Sequence, residues 1–483
     1  MLATQKMAPR LSKTGYLRYL KCPQEFWLEH HQPLLFGFEP ETLEYQHLRQ
    51  QGYEVENYVK QLVQFQPDGT KSVDFQRTFQ TAEFAARSDL IVNDKATGEI
   101  RIYEIKGAAS VKEEHYDDVA FQKMVAEKSG ATIVRCFVIT MNGEYVRHGD
   151  IDVEQLFTIT DVTDKVAERM SLTEQQAVAA RAYLESEPVA SLLDYCADNK
   201  LACRFIKLHF PGLPDYTIFD ISYLNNEKRR ELLEQNIIAI TDVPDHFPLS
   251  DKQRKQVAAA KTGEVVIEHD AIKKRMDAWE YPLHFLDYET FSYAIPQFDG
   301  IKPFQQMCFQ YSLHTIDAPG AEMRHSGYLA REREANPPLK LAEHMRQAMA
   351  GGIGTVFVWY EAFEKTRNTE MAAMFPEYEE FFTEVNAKTV DLMKIFADRL
   401  YIHPEFKGRS SIKKVLPVLV PDLQYSDLGI SEGMTASISW YRAAKWDTLS
   451  EDERERIFGD LDKYCELDTL AMVEIYRVLA ALS

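Results

Sequence analysis

Residues 282–291 read PLHFLDYETF, an apolar run that ends in the triplet Asp287-Tyr288-Glu289. A strand sends alternate side chains to opposite faces, so Asp287 and Glu289 point the same way. Two carboxylates closing one apolar strand make a nest for divalent cations. The next strand-like run, TVFVWY (355–360), continues into EAFEKTR, which sets Glu364 just past a strand end. Far downstream, YCELDTLAM (464–472) reads as helix, and Tyr464 and Asp468 lie one turn apart on one face. Phosphodiester cleavage wants this set. Oxygen ligands suit Mg²⁺ or Mn²⁺, a pair of such ions can activate a water and stabilise the leaving oxygen, and a tyrosine beside a ligand can orient that water. Singly, each motif is common on solvated strand ends and helix faces; their order and spacing together carry the signal.

The elements around these motifs read as strand 283–287, strand 308–313, helix 339–350, strand 355–359 and then helices, an α/β pattern that begins at the bend Tyr281-Pro282. On these motifs, residues 281–483 resemble the DnaQ-like 3′–5′ exonucleases of the RNase H-like superfamily, in their tyrosine-bearing DEDD form. The resemblance implies that Asp287, Glu289, Glu364 and Asp468 bind metal and that Tyr464 is catalytic. The chain departs from the family at the second motif, Tyr360-Glu361-Ala362-Phe363-Glu364, where glutamate replaces the usual aspartate and the usual asparagine is missing. Asp391, in TVDLMKIF, resembles a secondary aspartate of the family and equally fits a helix N-cap. The string GRSSIKKVLP (408–417) resembles the serine-lysine stretch before the third motif. Lys413 and Lys414, with Lys407 and Arg409, would contact nucleic-acid phosphates there, or form a solvated basic loop.

The N-terminal part reads as a helix from Leu11 to Gln32, a helix from Glu41 to Val63, strands 75–79, 84–92 and 100–105, a helix from Tyr116 to Lys128 stopped at Ser129-Gly130, and a strand 132–141. FAARSDLIV carries Asp89, and IYEIKGA carries Glu104 and Lys106 on one face of the following strand. A Glu and a Lys on an otherwise apolar strand need a reason. An Asp, a Glu and a Lys converging at a hairpin can bind Mg²⁺ and steady developing negative charge. Gln122, in DDVAFQKMV, projects toward the same place. With LSKTGYLRYLKCPQEFWL at the start, these strings resemble the PD-(D/E)XK nucleases, in particular the RecB-like ones related to iron–sulfur nucleases of CRISPR adaptation, over about residues 10–215. The early-helix histidine of that family is not evident, and Glu54 or Glu56 occupies its region. The family holds a cluster with one early and three late cysteines. Here the resemblance offers Cys22, Cys196 and Cys203, with His209 where a fourth cysteine is expected. This set would hold an iron–sulfur cluster or zinc, or else remain as packed thiols. Cys136, Cys308 and Cys465 read as buried core cysteines.

Together the halves resemble a bacterial family catalogued as a domain of unknown function, which fuses a RecB-like module to a DnaQ-like exonuclease. The expected domains are 1–215, a helical linker 216–280 and 281–483. In the linker, LLEQNIIAITDVPD (232–245) resembles a helix-hairpin-helix turn with Asn236 in place of glycine. Lys252, Arg254, Lys255, Lys273, Lys274 and Arg275 come after it as phosphate contacts or solvated charges. At 483 residues the chain is longer than one ordinary domain. Its net charge of −20, from 75 acidic and 55 basic residues, argues against coating nucleic acid by bulk charge but not against carboxylate metal sites. No apolar run approaches the roughly 18 residues of a membrane span, and no secretory signal is evident, so a cytoplasmic protein is expected. The expected function is a metal-dependent nuclease acting on DNA or RNA. The alternative is a nucleic-acid-binding module or scaffold, with one or both centres inactive, among repair or defence protein partners.

Overall fold

The computed structural model describes residues 10–35, 42–186, 206, 210–331, 336–425, 429–445 and 449–482. The chain divides into two compact units, Met1–Ala190 with Tyr293–Gln305, and Ser191–Ser292 with Gln306–Ser483. Both are mixed α/β.

The first unit runs β1 (Leu11–Ser12), α1 (Lys13–Lys21), α2 (Pro23–His31), α3 (Leu43–Val59), β2 (Lys71–Gln80), β3 (Phe84–Asp94), β4 (Ile100–Ile105), α4 (Glu113–Lys128), β5 (Ile133–Met141), β6 (Phe157–Asp161) and α5 (Thr163–Tyr183). The expected helix 11–32 is two helices. Pro23 has no N–H to continue α1, and Cys22 turns extended and caps α2 instead. β3 organises the sheet. It pairs antiparallel with β2 on one edge, while its other edge is shared by β1 at Phe84–Ala85 and β4 at Leu90–Asn93. β3 and β4 therefore part just before Leu90, and Asp89 lies in the opening. Gln76, at φ 58°, sits opposite Asp89 on β2. α4 buries Val119, Ala120, Met124 and Val125 with Ile91, Ile102, Cys136 and Val138, and Tyr16 of α1 stacks on Phe121 at 4.6 Å.

The second unit contains α6 (Asn226–Glu234), α7 (Asp251–Thr262), β7 (Val266–Ile267), α8 (His269–Met276), β8 (Leu283–Phe291), β9 (Met307–Ile316), β10 (Arg324–Leu329), α9 (Pro337–Ala348), β11 (Thr355–Val358), α10 (Glu361–Met374), α11 (Glu379–Lys388), β12 (Thr389–Asp391), β13 (Tyr401–Ile402), α12 (Ile412–Leu419), α13 (Gly433–Lys445) and α14 (Glu451–Ala480). Its main sheet is ordered β10-β9-β8-β11-β12, antiparallel from β10 to β8 and parallel from β8 to β12. β10 was not expected from the sequence. RHSGYL lacks apolar alternation because an edge strand leaves much of its surface in solvent.

The expected division at 215 and 280 differs from the one observed. Residues 216–280 group with the C-terminal half because β7 pairs with β13, Ser222 Oγ donates to Gly408 O at 2.8 Å, and Lys252 pairs with Asp398 at 2.7 Å. Conversely, Tyr293–Gln305 groups with the first unit, where Gln51 Oε1 accepts from Ala294 N and Arg147 donates to Pro296 O. Among the described residues no helix is long and apolar enough to cross a membrane.

Candidate metal centres

In the second unit, β8 pairs with β11 only over Leu283–Phe285. Asp287 and Glu289 thus run past the end of β11, at the carboxyl edge of the parallel strands, where open α/β sheets place their sites. β11 turns sharply through Tyr360, at φ 131°, into α10, whose first turn carries Glu364. A carboxylate in a first turn is favoured by the helix dipole. α14 starts with a capping box between Ser450 and Glu453. Its inward stripe includes Phe458, Leu461, Cys465 and Met472, and Tyr464 and Asp468 lie buried on the same helix.

Carboxylate oxygens of Asp287, Glu289 and Asp468 lie within 4.8 Å of one another. Glu364 is 5% exposed, and its Oε2 is buried without a hydrogen-bond partner. Burial raises the pKa of Asp287, and the charge of Asp468 raises it further. Glu289 is raised by burial, then by Asp287 and Asp468. Glu364 is raised by burial, then by Asp287 and Glu289. Asp468 is pushed by burial to about 6, against hydrogen bonds from Tyr425 and Tyr464 and the ammonium of Lys413. Lys413 Nζ lies 3.5 Å from Tyr464 Oη and 5.5 Å from the ring centre. Burial and then Asp468 hold the Tyr464 phenol above its ordinary value, so its proton stays on. Asp287, Glu289 and Asp468 face Lys413, and Glu364 faces Arg367, so the four crowded carboxylates make an oxygen donor set that fits a divalent cation. The orphaned Glu364 oxygen is the buried acceptor that a cation would satisfy.

Lys414 is exposed rather than turned inward. Asp391 ends β12, and its carboxylate takes backbone N–H groups: Oδ2 accepts from Glu361 N at 3.3 Å and Oδ1 from Met393 N at 3.0 Å. Tyr425 donates to Asp468 Oδ1 at 2.5 Å and was missed, because it lies in an irregular stretch where no periodicity singles it out.

The first unit gathers Asp89, Glu104, Lys106 and Gln122, together with Lys13 and Asp118. Lys106 Nζ bridges Glu104 at 2.8 Å and Asp118 at 2.6 Å. Lys13 Nζ bridges the same pair at 2.8 and 3.2 Å. Gln122 Nε2 donates to Glu104 at 2.6 Å and to Asp118 at 2.8 Å. Asp89 Oδ2 accepts from Ile105 N at 3.0 Å, which fixes it in the gap between β3 and β4. Burial works against both ammonium groups, yet Glu104 and Asp118 outweigh it and hold both lysines above the ordinary value. Burial raises Asp118, and Glu104 raises it further. Glu56 reaches this edge through Gln76, which donates to it at 2.8 Å, while Glu54 accepts from Gln50. A cavity of about 740 Å³ opens beside Lys106, Asp118 and His115. Asp118 and Lys13 each had a signal in the sequence. Asp118 lies one turn from Gln122, and a lysine at the start of a helix opposes the dipole unless carboxylates await it.

Cys196, Cys203 and His209 lie outside the described residues. Cys22 Sγ accepts from Glu25 N at 3.4 Å. Cys136, Cys308 and Cys465 are buried, as expected. In the helical segment, Asn236 takes the positive φ of 60° that its place in the turn requires. Lys252, Arg254, Lys255, Lys273 and Arg275 each pair with a carboxylate, so their charge is largely answered within the protein.

Fold and site define a mixed α/β protein with a buried carboxylate pocket at the edge of one sheet and a lysine-bridged acidic centre in another. Residues 284–411 match the family described as a domain of unknown function (DUF2779). That stretch includes Asp287, Glu289 and Glu364 and ends before Lys413, Tyr464 and Asp468. The chain is 26% identical over 212 residues to the uncharacterized protein UU173 of Ureaplasma parvum, a match covering 40% of this chain and 30% of that protein. It is 28% identical over 211 residues to the uncharacterized protein MG366 of Mycoplasma genitalium, covering 40% of this chain and 31% of the other. A homolog of MG366 in Mycoplasma pneumoniae is 26% identical over 209 residues, again 40% of this chain and 31% of the other. The chain thus spans about 30% of the length of the curated relatives it matches.

Proposed function

We propose that this protein is a metal-dependent nuclease whose second unit is an RNase H-like, DnaQ-like exonuclease of 3′–5′ polarity and whose first unit is a PD-(D/E)XK-type nuclease centre. The observation that carries the reading is the gathering of Asp287, Glu289 and Asp468 within 4.8 Å beside the unpartnered oxygen of Glu364. These four carboxylates would hold Mg²⁺ or Mn²⁺. When bound, such ions supply Lewis-acid polarisation of a phosphoryl oxygen and offset the crowded charge. The chain's own groups do the rest. The Tyr464 hydroxyl, kept protonated, hydrogen-bonds the attacking water and aligns it with phosphorus. Water's oxygen forms the new bond to phosphorus as one of its O–H bonds breaks, the bond to the leaving 3′ oxygen breaks, and the proton given up by the water passes through solvent to that oxygen. Lys413 places an ammonium where a phosphate arriving at the pocket gains a charge-assisted hydrogen bond. In the first unit, Asp89, Glu104 and Asp118 would hold the ion, Lys106 would steady developing negative charge, and Gln122 orients Glu104.

The test is hydrolysis of end-labelled single- and double-stranded DNA and RNA with Mg²⁺ or Mn²⁺. Asp287→Ala should abolish stepwise shortening from the 3′ end, and Glu104→Ala should abolish any cleavage left over. Identical product patterns from wild type and both variants would defeat the proposal. A second reading, a nucleic-acid-binding module with a silent N-terminal centre, draws on the two lysines that already bridge Glu104 and Asp118. It gives salt-dependent binding of the same substrates and a cleavage pattern insensitive to Glu104→Ala.

A further inference from the structure

Another cluster lies on β9, β10 and α14. Antiparallel pairing sets His314 directly across from His325, with ring centres 4.6 Å apart. A ring nitrogen of each and a carboxylate oxygen of Glu466 lie within 4.8 Å of one another. His325 Nδ1 is 3.9 Å from Glu466 Oε1. His325 and Glu466 are exposed, so the group is open to solvent. Glu466 and Asp468 are two positions apart on α14, about 200° around the helix, so they face different directions.

A chain of hydrogen bonds fixes the protons of this cluster. The Thr469 hydroxyl donates its single proton to Glu466 O at 3.0 Å. It must then accept from Ser312 Oγ at 2.7 Å and from His314 Nδ1 at 2.8 Å. Ser312, its proton given to Thr469, accepts from His325 Nε2 at 2.9 Å. Each imidazole therefore spends one N–H inward and keeps a lone pair on its other nitrogen, Nε2 of His314 and Nδ1 of His325. His325 Nδ1 is the nitrogen that faces Glu466. Histidines that ligate metals are oriented in this way, by donating the second ring N–H to a fixed acceptor. A bland cross-strand histidine pair needs no such relay.

We infer that His314, His325 and Glu466 form a binding site for a zinc-class divalent transition metal, which ties the β9–β10 hairpin to α14. Two imidazoles and one carboxylate suit Zn²⁺ with a fourth position open to water, and disfavour Mg²⁺, which asks for oxygen ligands. None of these residues belongs to the carboxylate pocket, so the site stands independently of the nuclease reading.

The experiment uses the full chain, stripped with a chelator and returned to excess Mg²⁺ so that oxygen-rich sites are filled. Zn²⁺ is then titrated with a competing dye, and Co²⁺ is added separately to read coordination from its visible spectrum. Wild type should bind about one Zn²⁺ and give the intense absorption of four-coordinate Co²⁺. His325→Ala and Glu466→Gln, both at exposed positions, should lose that binding. Ser312→Ala should weaken it roughly 10–100-fold, since it removes only the group that orients His325. Asp287→Asn should leave it intact. Equal Zn²⁺ affinity in wild type, His325→Ala and Glu466→Gln would overturn the inference, as would a Co²⁺ spectrum unchanged by either substitution.

Discussion

Removing divalent ions should make the second unit less stable as pH rises. The perturbation is a shift from pH 5 to pH 8 in chelator. Asp468 titrates near 3.8 when unfolded and near 6 when folded, because burial disfavours its charge. Between those values the folded state holds a proton that the unfolded state has released. Stability therefore falls as pH rises through that window, and the loss is complete above about 6. A displacement from 3.8 to about 6 corresponds to about 3 kcal/mol. Asp287, Glu289 and Glu364 are raised as well and add to the loss in the same direction. For a unit of this size, about 3 kcal/mol lowers the melting temperature by roughly 6–12 °C. Mn²⁺ or Mg²⁺ at pH 8 should restore it, since binding to the folded state adds stability by mass action. Melts followed by circular dichroism, with and without ion, read the effect. The acidic surface also repels itself at high pH, so the control is Glu380→Gln, which makes the same charge change at an exposed position. Asp468→Asn and Glu364→Gln should flatten the pH slope and blunt the gain from Mn²⁺, while Glu380→Gln should do neither. A metal-free protein equally stable at pH 5 and pH 8, or three variants with one common slope, would refute the reasoning.

Tyr464→Phe keeps the ring in the core and removes the hydroxyl, so hydrolysis should fall by about 10²–10³-fold with little change in melting temperature, as single-turnover assays would show. Lys413→Ala removes the ammonium facing the pocket, and should weaken substrate binding and reduce its salt dependence, read by fluorescence anisotropy at several salt concentrations. Lys13→Met leaves Glu104 and Asp118 with one ammonium instead of two. Denaturant unfolding in chelator should show a loss of about 1.5–3 kcal/mol, largely recovered by Mg²⁺. Trp440, buried and stacked on Phe309 at 4.5 Å, should cost about 3–5 kcal/mol on substitution by alanine, with no selective effect on cleavage at the first unit.

The features legible in the sequence came from period and spacing. Asp287 and Glu289 were readable because a strand repeats every two residues, and Tyr464 and Asp468 because a helix returns after four. Glu104 and Lys106 stood out as charges on an apolar strand. The groups that escaped notice act across long distances in the chain: Lys13 meets Glu104 91 positions away, and Tyr425 meets Asp468 43 positions away. A local pattern can mark one partner, as the helix-start position marks Lys13, but it does not name the other, which is set by how elements stack. The missed strand β10 shows the same limit from the other side. Its partner β9 is buried along its whole length and betrays itself by composition, whereas an edge strand borrows its conformation from that partner. The split of Leu11–Gln32 into two helices was present in the chain as Pro23. Its consequence, a strand, a cap and two short helices, depended on Ser12 and Cys22 finding helix N–H groups to accept from.

The two centres balance charge by different means, so a cation would meet different resistance at each. Around Glu104 and Asp118, two ammonium groups and an amide already satisfy the carboxylates, so that centre is held together without an ion. An incoming divalent cation there must compete with Lys13 and Lys106, and its net gain is the difference between two favourable arrangements. Around Asp287, Glu289, Glu364 and Asp468, Lys413 faces three of the four carboxylates and Arg367 the fourth, and Glu364 keeps an oxygen with no partner. A cation there removes repulsion instead of displacing a partner, so its affinity includes the relief of the strain that burial imposes. In a titration of the stripped protein, Mn²⁺ should therefore fill the second unit first, and the first unit should respond only at higher concentration. Lys13→Met should close that gap by lowering the concentration at which the first unit responds. If the substitution left the order and spacing of the two binding phases unchanged, the lysine bridges would not be what sets them.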